Sequence, residues 1–402
     1  MIRVRVLQVL SNSPAYQIGG PQGVTLRIAT ELSKRGHEIV IFTTDASDAK
    51  SRLTIVDNPM LTDGVKVYHF RNLSNQLARR QLPLTPAMAM ALNKHMEDFD
   101  LVHLSEYRTV NAALVRHYAK KRSVPFVIQA HGGLPLTYNT LADRQRLRRT
   151  FDRAYGFKIL RDASLVIALN EAEAKQAKQM GVDERKIRII PNAIDPADYQ
   201  NLPQPGAFSQ KYGINQEDKI ILYLGRISKV KGLDLLVDAF TVVLTEFSHA
   251  RLVLAGPDIG FLSVLEQKIA DLNLGDNVIL TGPLYGRAKL EAYRDADVYV
   301  LPSVYDTFPV TVLEACACGT PVILTDRCGI APSFKEYGLV VELDANQLAR
   351  ALLGMLNDDT KRRELAQKAT EFVEQEFALS KVVEEYEKAY YEAAAPAQSI
   401  QT

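Results

Sequence analysis

Cysteine is scarce in this chain. Its 402 residues hold three, Cys316, Cys318 and Cys328, all in one short stretch. That placement excludes a disulfide framework and fits a reducing, cytoplasmic compartment. Cys316 and Cys318 stand two apart on a predicted helix, so they point in different directions and a metal site is not expected. No apolar run reaches about 18 residues, so no membrane span is expected. The opening MIRVRVLQVL is too short and too interrupted by arginine for a signal peptide, and reads as a strand. Helix-turn-helix and aromatic RNA-binding patterns are missing, which argues against nucleic acid as a partner. A charge surplus is missing too, since 48 Lys+Arg face 47 Asp+Glu. That balance hides a division: residues 1–200 hold 29 Lys+Arg against 19 Asp+Glu (+10), and residues 201–402 hold 19 against 28 (−9). A basic half suggests an anionic surface or substrate. The length exceeds what one core usually supports, so two or three domains are expected.

The most informative stretch that is present is 301–326, LPSVYDTFPVTVLEACACGTPVILTD. It reads as strand, polar loop (303–307), helix (about 311–318), then strand (322–325), with the apolar runs of a parallel sheet. Ligands of such sheets sit where strands hand over to helices, because a helix N-terminus offers unpaired N–H groups. Asp306 lies in that loop and Glu314 eight residues later on the helix. Two hydroxyl-binding acids are one reading; a helix cap at Asp306 and a surface salt bridge at Glu314 are the other.

The first half reads as alternating strands and helices. A glycine-containing loop, Gly19-Gly20-Pro21-Gln22-Gly23, follows the first strand but lacks the G-x-G-x-x-G spacing, so turn geometry is one reading of it and close approach to a ligand the other. Residues 46–63 read as irregular and 71–84 as a loop. Ser105-Glu106-Tyr107-Arg108 opens the end of the strand at 101–104. The strand at 125–129 delivers His131-Gly132-Gly133 at its C-terminal end, where parallel sheets place chemistry; a turn histidine is the plainer alternative. Residues 141–161 read as one long basic helical region carrying Arg144, Arg146, Arg148, Arg149, Arg153, Lys158 and Arg161, with an apolar stripe of Leu147, Phe151, Ala154 and Tyr155. Such a helix suits an anionic bilayer surface or a solvated face packed on the core. Asn170 with Glu173 reads as an N-cap and its reciprocal capping partner.

In the second half, Gly225-Arg226 and Lys231-Gly232 bracket a loop between a strand and a helix. Two cations beside free helix N–H groups suit a diphosphate, and a basic surface turn is the alternative. Asp295-Ala296-Asp297 is formally D-x-D but precedes a strand without the rest of a metal-binding fold.

These motifs together resemble the retaining family 4 glycosyltransferases (glycosyl transferases group 1) across about residues 1–390. The residues that carry the resemblance are Pro302-Ser303, Asp306, Phe308-Pro309, Glu314-Ala315, Gly319, Pro321-Val322, the Gly225-Arg226/Lys231-Gly232 pair and Pro191-Asn192-Ala193-Ile194-Asp195. The chain departs from the family pattern at Asp306, where a glutamate is usual, at Thr307-Phe308-Pro309, where Gly-Phe-Gly is usual, and at Ala193, where glycine is usual. The resemblance implies an α/β GT-B fold, two Rossmann-like domains with parallel sheets facing across a cleft. They would be an acceptor-side domain (1–198) and a donor domain (199–375), with a helix (376–392) crossing back and a disordered tail (393–402). It implies a nucleotide-diphosphate sugar as donor, no metal or other cofactor, and a hydroxyl acceptor on a polysaccharide, glycolipid or lipid-linked intermediate. By the same resemblance Arg226 and Lys231 hold the diphosphate and Glu314 the ribose. Asp306 and His131 hold the transferred sugar, and Gly19 and Gly20 approach the donor closely. Tyr285 borders the base, and Phe308, Pro309 and Val310 line the nucleotide site. A sugar-nucleotide epimerase and a nucleotide-sugar-binding protein without catalysis are the alternatives.

Overall fold

Continuous apolar runs bounded by glycine or polar turns make strands buried on both faces, and the chain builds two sheets from them. The structure, a computed structural model, describes residues 3–11, 20–46, 52–55, 58–79, 82–134 and 142–395, without the side chains of residues 20, 21, 79, 142–145 and 147. The chain divides into two compact units, residues 1–192 with 379–402, and residues 193–378.

The first unit contains β1 (Arg5–Val9), β2 (Glu38–Thr44), β3 (Met60–Thr62), β4 (Val65–Phe70), β5 (Leu101–Ser105), β6 (Phe126–Gln129), β7 (Leu165–Ala168) and β8 (Ile187–Ile189). They form one sheet in the order β3-β4-β2-β1-β5-β6-β7-β8. Only β3 runs antiparallel, paired with β4. The second unit contains β9 (Ile220–Leu224), β10 (Arg251–Ala255), β11 (Val278–Gly282), β12 (Val298–Leu301), β13 (Val322–Thr325) and β14 (Leu339–Val341), ordered β11-β10-β9-β12-β13-β14. Its pairings are all parallel. Strand order reverses between β1 and β5 in one sheet and between β9 and β12 in the other. Loops leaving neighbouring strands diverge at such a point and leave a crevice.

The last helix, Leu379–Ala394, belongs to the first unit because its apolar face repeats with helical period. Val382, Val383, Tyr386, Ala389, Tyr390 and Ala393 are buried. Its polar groups are matched as well. Tyr386 donates to Gln129 Oε1 at 2.9 Å, and Glu387 accepts from Arg35 at 2.8 Å and lies 2.9 Å from His37 Nε2.

Three local expectations change. The irregular stretch 46–63 holds β3, and the loop at 71–84 contains the short helix Asn75–Arg79. The basic region is not one regular helix: a π-helical turn, Asp152–Gly156, separates Ala142–Phe151 from Phe157–Asp162. Asp152, the first residue of that turn, is buried against Arg108. The expected stripe holds only at Phe151, which packs half-buried against the core, because Ala154 and Tyr155 face solvent while Ile159 and Leu160 enter the core; Leu147 lies outside the described side chains.

Candidate functional site

Both sheets place their polar, strained and close-packed residues at the C-terminal ends of the strands flanking the reversal. In the second unit β9 ends at Leu224, and the chain crosses close to other backbone twice. A Cβ at Gly256 would lie 1.7 Å from the Gly225 carbonyl, and one at Gly232 would lie 2.1 Å from the Pro302 carbonyl. Gly232 also has φ +63°, which favours glycine. Only glycine lets the helix Leu233–Val243 start this near the end of β12. Lys231 is thereby carried inward. It is buried, and its Nζ donates to Asp306 Oδ2. Asp306 is pinned from behind, since its carbonyl accepts from Gly329 N at 2.7 Å. Arg226 differs: its side chain is exposed and makes no hydrogen bond or ion pair among the described residues. Its carbonyl accepts from buried Tyr223 Oη at 2.8 Å, which holds the turn after β9 in place. The two cations expected to act alike thus stand in different environments, one committed to a carboxylate and one open to solvent.

Asp306 is not a helix cap, because Pro309 occupies the N-cap position of Val310–Ala317. Val310 opens that helix, whose first amides have no intrahelical acceptor. Glu314 is not a surface residue either. It is buried, with Oε1 accepting from Lys289 Nζ at 2.6 Å and Oε2 from Tyr293 Oη at 3.1 Å. A carboxylate offers about four lone-pair sites, so acceptor capacity remains. Phe308 turns its ring into an aromatic cluster, 5.7 Å from Phe377. Tyr285 precedes the helix Gly286–Asp295 and is 52% exposed, leaving its ring open to stacking.

The D-x-D pair is structural. Asp295 accepts from Gly206 N (2.7 Å) and Ser209 N (2.8 Å), while Asp297 accepts from Ile220 N (2.9 Å) and pairs with Arg362 (3.2 Å). All three cysteines are free and buried. Burial and the nearby Asp306 carboxylate push the Cys328 thiol up to about 12.

In the first unit the candidate residue His131 follows β6 with φ +49°, and Glu106 follows β5 with φ +69°. Two non-glycine residues in the left-handed region at adjacent strand ends are unusual, and such strain concentrates at functional sites. The His131–Leu134 turn is held from two sides. Glu173 Oε1 accepts from Gly132 N at 2.6 Å and its Oε2 from Leu169 N at 2.8 Å. This corrects the capping box: Asn170 does cap the helix, accepting from Glu173 N at 2.9 Å, but the Glu173 side chain serves the histidine turn instead. Arg108 donates to the carbonyls of Gly133 and Leu134 and to both oxygens of Asp152. Burial depresses the His131 imidazole to about 4, so it is neutral at physiological pH. His103 beneath it is lowered to about 3 by burial and by His131. Gly19 lies outside the described residues, and Gly20 opens the helix Gly20–Lys34. Asp152, Glu173 and Lys289 were missed as site residues in the sequence, whereas Arg108 stood in the Ser105–Arg108 stretch at the end of β5. Of the three, only Glu173 carried a local signal, its spacing from Asn170.

The second unit matches the model described as "Glycosyl transferases group 1" over residues 206–372, and the first matches "Glycosyltransferase Family 4" over residues 18–198. D-inositol 3-phosphate glycosyltransferase of Kineococcus radiotolerans is 27% identical, covering 91% of this chain and 90% of the relative. N-acetyl-alpha-D-glucosaminyl L-malate synthase of Bacillus anthracis is 27% identical, covering 93% and 94%. Anabaena HepE, solved with UDP and glucose, aligns with a TM-score of 0.76 at 18% identity, covering 97% of this chain and 100% of that one. Sucrose-phosphate synthase of Thermosynechococcus elongatus aligns at 0.78 and 21% identity, covering 97% and 99%. With two models that together span most of its length and parallel-sheet units of the matching fold, the chain belongs to the family 4 glycosyltransferases of the GT-B fold.

Proposed function

We propose that the chain transfers a sugar, with retention of anomeric configuration, from a nucleotide-diphosphate donor to a hydroxyl acceptor. The observation that carries the donor half is the inward Lys231 at the reversal of the second sheet, beside a helix start and within one unit of buried Glu314. Arg226 and Lys231 neutralise the diphosphate, and their charge matters most as the glycosidic bond breaks. Glu314 accepts from the ribose hydroxyls with its remaining lone pairs. Asp306 hydrogen-bonds the transferred sugar. The leaving phosphate assists deprotonation of the acceptor, and no metal takes part. Two relatives carry inositol 3-phosphate and L-malate in their names; for this chain the acceptor class is a separate question.

The test is release of nucleoside diphosphate from a panel of UDP-, GDP- and ADP-sugars, with and without EDTA. Turnover of at least one donor in EDTA is the expected result. No turnover of any donor, or turnover that EDTA abolishes and Mn²⁺ restores, would overturn the reading. Glu314→Ala should weaken calorimetric binding of the bare nucleoside diphosphate by about 1–3 kcal/mol, because a ribose contact does not need the sugar. Unchanged affinity removes Glu314 from the ribose.

A second proposal concerns the membrane. No helix among the described residues is long and apolar enough to cross one. Peripheral contact is favoured by the surface at 146–158, where Arg146, Arg149, Arg153 and Lys158 are exposed together with Tyr155 (51%) and Phe157 (44%). Each basic residue near anionic lipid contributes about 1 kcal/mol. Sedimentation with phosphatidylserine vesicles should fall with added salt and with Arg149→Glu/Arg153→Glu. No sedimentation at low salt rules the contact out.

A further inference from the structure

In the second unit, Glu314 is gripped by the helix Gly286–Asp295, which starts after β11. Lys289 and Tyr293 stand four apart on that helix, so both project from one face. Lys289 Nζ donates to Glu314 Oε1 at 2.6 Å, and Tyr293 Oη donates to Oε2 at 3.1 Å. One helix face thus sets one donor on each oxygen of a single carboxylate. The side chains of Lys289 and Glu314 are only 15% and 10% exposed, so water screens the pair little. Tyr293 is fully buried. Burial and then the Glu314 charge push its phenol well above the ordinary range, which keeps it a neutral donor. Its position is fixed as well: its carbonyl accepts from Thr320 Oγ1 at 2.6 Å, and its ring meets Tyr299 edge-on at 5.8 Å.

The other basic residues of this helix are engaged elsewhere. Arg287 pairs with Glu291 at 3.1 Å on the exposed side, and Arg294 donates to the Cys318 carbonyl at 3.2 Å. Among the described residues, Lys289 is the ion-pair partner of Glu314. Stability alone does not call for this pair, because apolar side chains of similar volume would join the two helices as well. Its geometry suits a different task. A carboxylate has about four lone-pair sites, two on each oxygen. With one taken on each side, one remains on each oxygen, in a fixed direction. Two neighbouring hydroxyls fill that pair of acceptors, and a single hydroxyl fills half of it. Lys289 also offsets the Glu314 charge, which would otherwise repel an incoming diphosphate.

We propose that Lys289 is a positioning residue for donor binding: with Tyr293 it fixes the Glu314 carboxylate so that its two free lone pairs read a vicinal diol, and the donor is a ribonucleotide rather than a 2′-deoxyribonucleotide. This assignment rests on Glu314 as the ribose residue and adds what aims its carboxylate.

The test is calorimetry of the full chain with UDP, ADP and GDP and the 2′-deoxy form of each, for the wild type, Lys289→Met and Tyr293→Phe. The wild type should bind its preferred ribonucleotide at least about tenfold tighter than the deoxy form, the scale of one hydrogen bond to a charged group. Lys289→Met, verified folded by circular dichroism, should weaken the ribonucleotide about tenfold and the deoxy form much less, bringing the two to within about threefold. Tyr293→Phe removes one hydroxyl and no carbon, should move the ratio the same way, and decides the matter if Lys289→Met does not fold. In turnover the loss should appear as a raised donor KM rather than a lowered kcat, since a ribose contact is the same before and during transfer. A purely structural role would weaken both nucleotides alike and keep the ratio. Discrimination by the wild type that Lys289→Met leaves unchanged overturns the role of Lys289 and leaves Glu314 on the ribose. Equal binding of the ribo and deoxy forms by the wild type removes Glu314 from the ribose, and the assignment of Lys289 with it. Binding of none of these nucleotides overturns the donor reading itself.

Discussion

Lys231→Ala is expected to lower transfer by about two to three orders of magnitude in kcat/KM, because it removes a charge from the leaving diphosphate when that charge is growing. Affinity for the bare nucleoside diphosphate should fall by about 1–3 kcal/mol, the size of a charge-assisted contact. Part of any loss has a different origin. Lys231 is 9% exposed and its ammonium holds Asp306, so alanine leaves a mostly desolvated carboxylate without its partner. That costs stability, about 2–3 kcal/mol, less than for a fully buried pair because the Asp306 side chain keeps 17% exposure. The double variant Lys231→Met/Asp306→Ala separates the two effects. It should regain wild-type stability to within about 1 kcal/mol, since no charge is left unpaired, and should remain inactive. Recovery of transfer by the double variant would show that the pair serves only the fold. Unchanged affinity of Lys231→Ala for UDP would remove Lys231 from the diphosphate.

The largest expected stability effect lies in the first unit. Arg108 and Asp152 form a bidentate pair with side chains only 6% and 2% exposed, with Arg108 Nε 2.9 Å from Oδ1 and Nη2 2.8 Å from Oδ2. The same guanidinium holds the carbonyls of Gly133 and Leu134 and lies over the Tyr107 ring at 4.7 Å. Arg108→Ala strands a buried carboxylate and two carbonyls, and should destabilise the fold by about 3–5 kcal/mol. For a unit of this size that is a fall in Tm of about 10 °C. Arg108→Lys should recover little, because an ammonium does not reproduce the planar fork. Hydrogen exchange should accelerate at residues 131–134 in both variants, since the turn that carries His131 loses one of its two clamps. A Tm within about 1 °C of wild type would show that the pair contributes nothing net.

Much of this molecule is written locally. Apolar runs such as LVHLS (Leu101–Ser105) and VYVL (Val298–Leu301) have no alternation, so they demand burial on both faces and therefore a parallel sheet covered by helices. Turn chemistry is local too. Thr109 accepts from Ala112 N and Asn170 from Glu173 N, and each cap marks its helix start from sequence alone. The same holds for the loops that carry Lys231 and Asp306, because the chain that follows an apolar run in such a sheet leaves at the sheet's edge.

Which partner each of those residues takes is not local. Lys231 meets Asp306 across 75 residues, Arg108 meets Asp152 across 44, and Glu173 meets Gly132 across 41. These pairings follow from strand order, which brings β9 beside β12, β5 beside β6 and β6 beside β7. Periodicity and capping carry no information about that order, so the spacing of Asn170 and Glu173 suggested a capping box while the sheet delivered Gly132 to the same carboxylate. By itself the sequence determined the two parallel-sheet units and the charged residues in the loops that follow their strands. Only the tertiary structure decided which of those charges neutralise one another and which, like Arg226, stay open to solvent, because desolvation and pairing depend on neighbours that the chain supplies from far away.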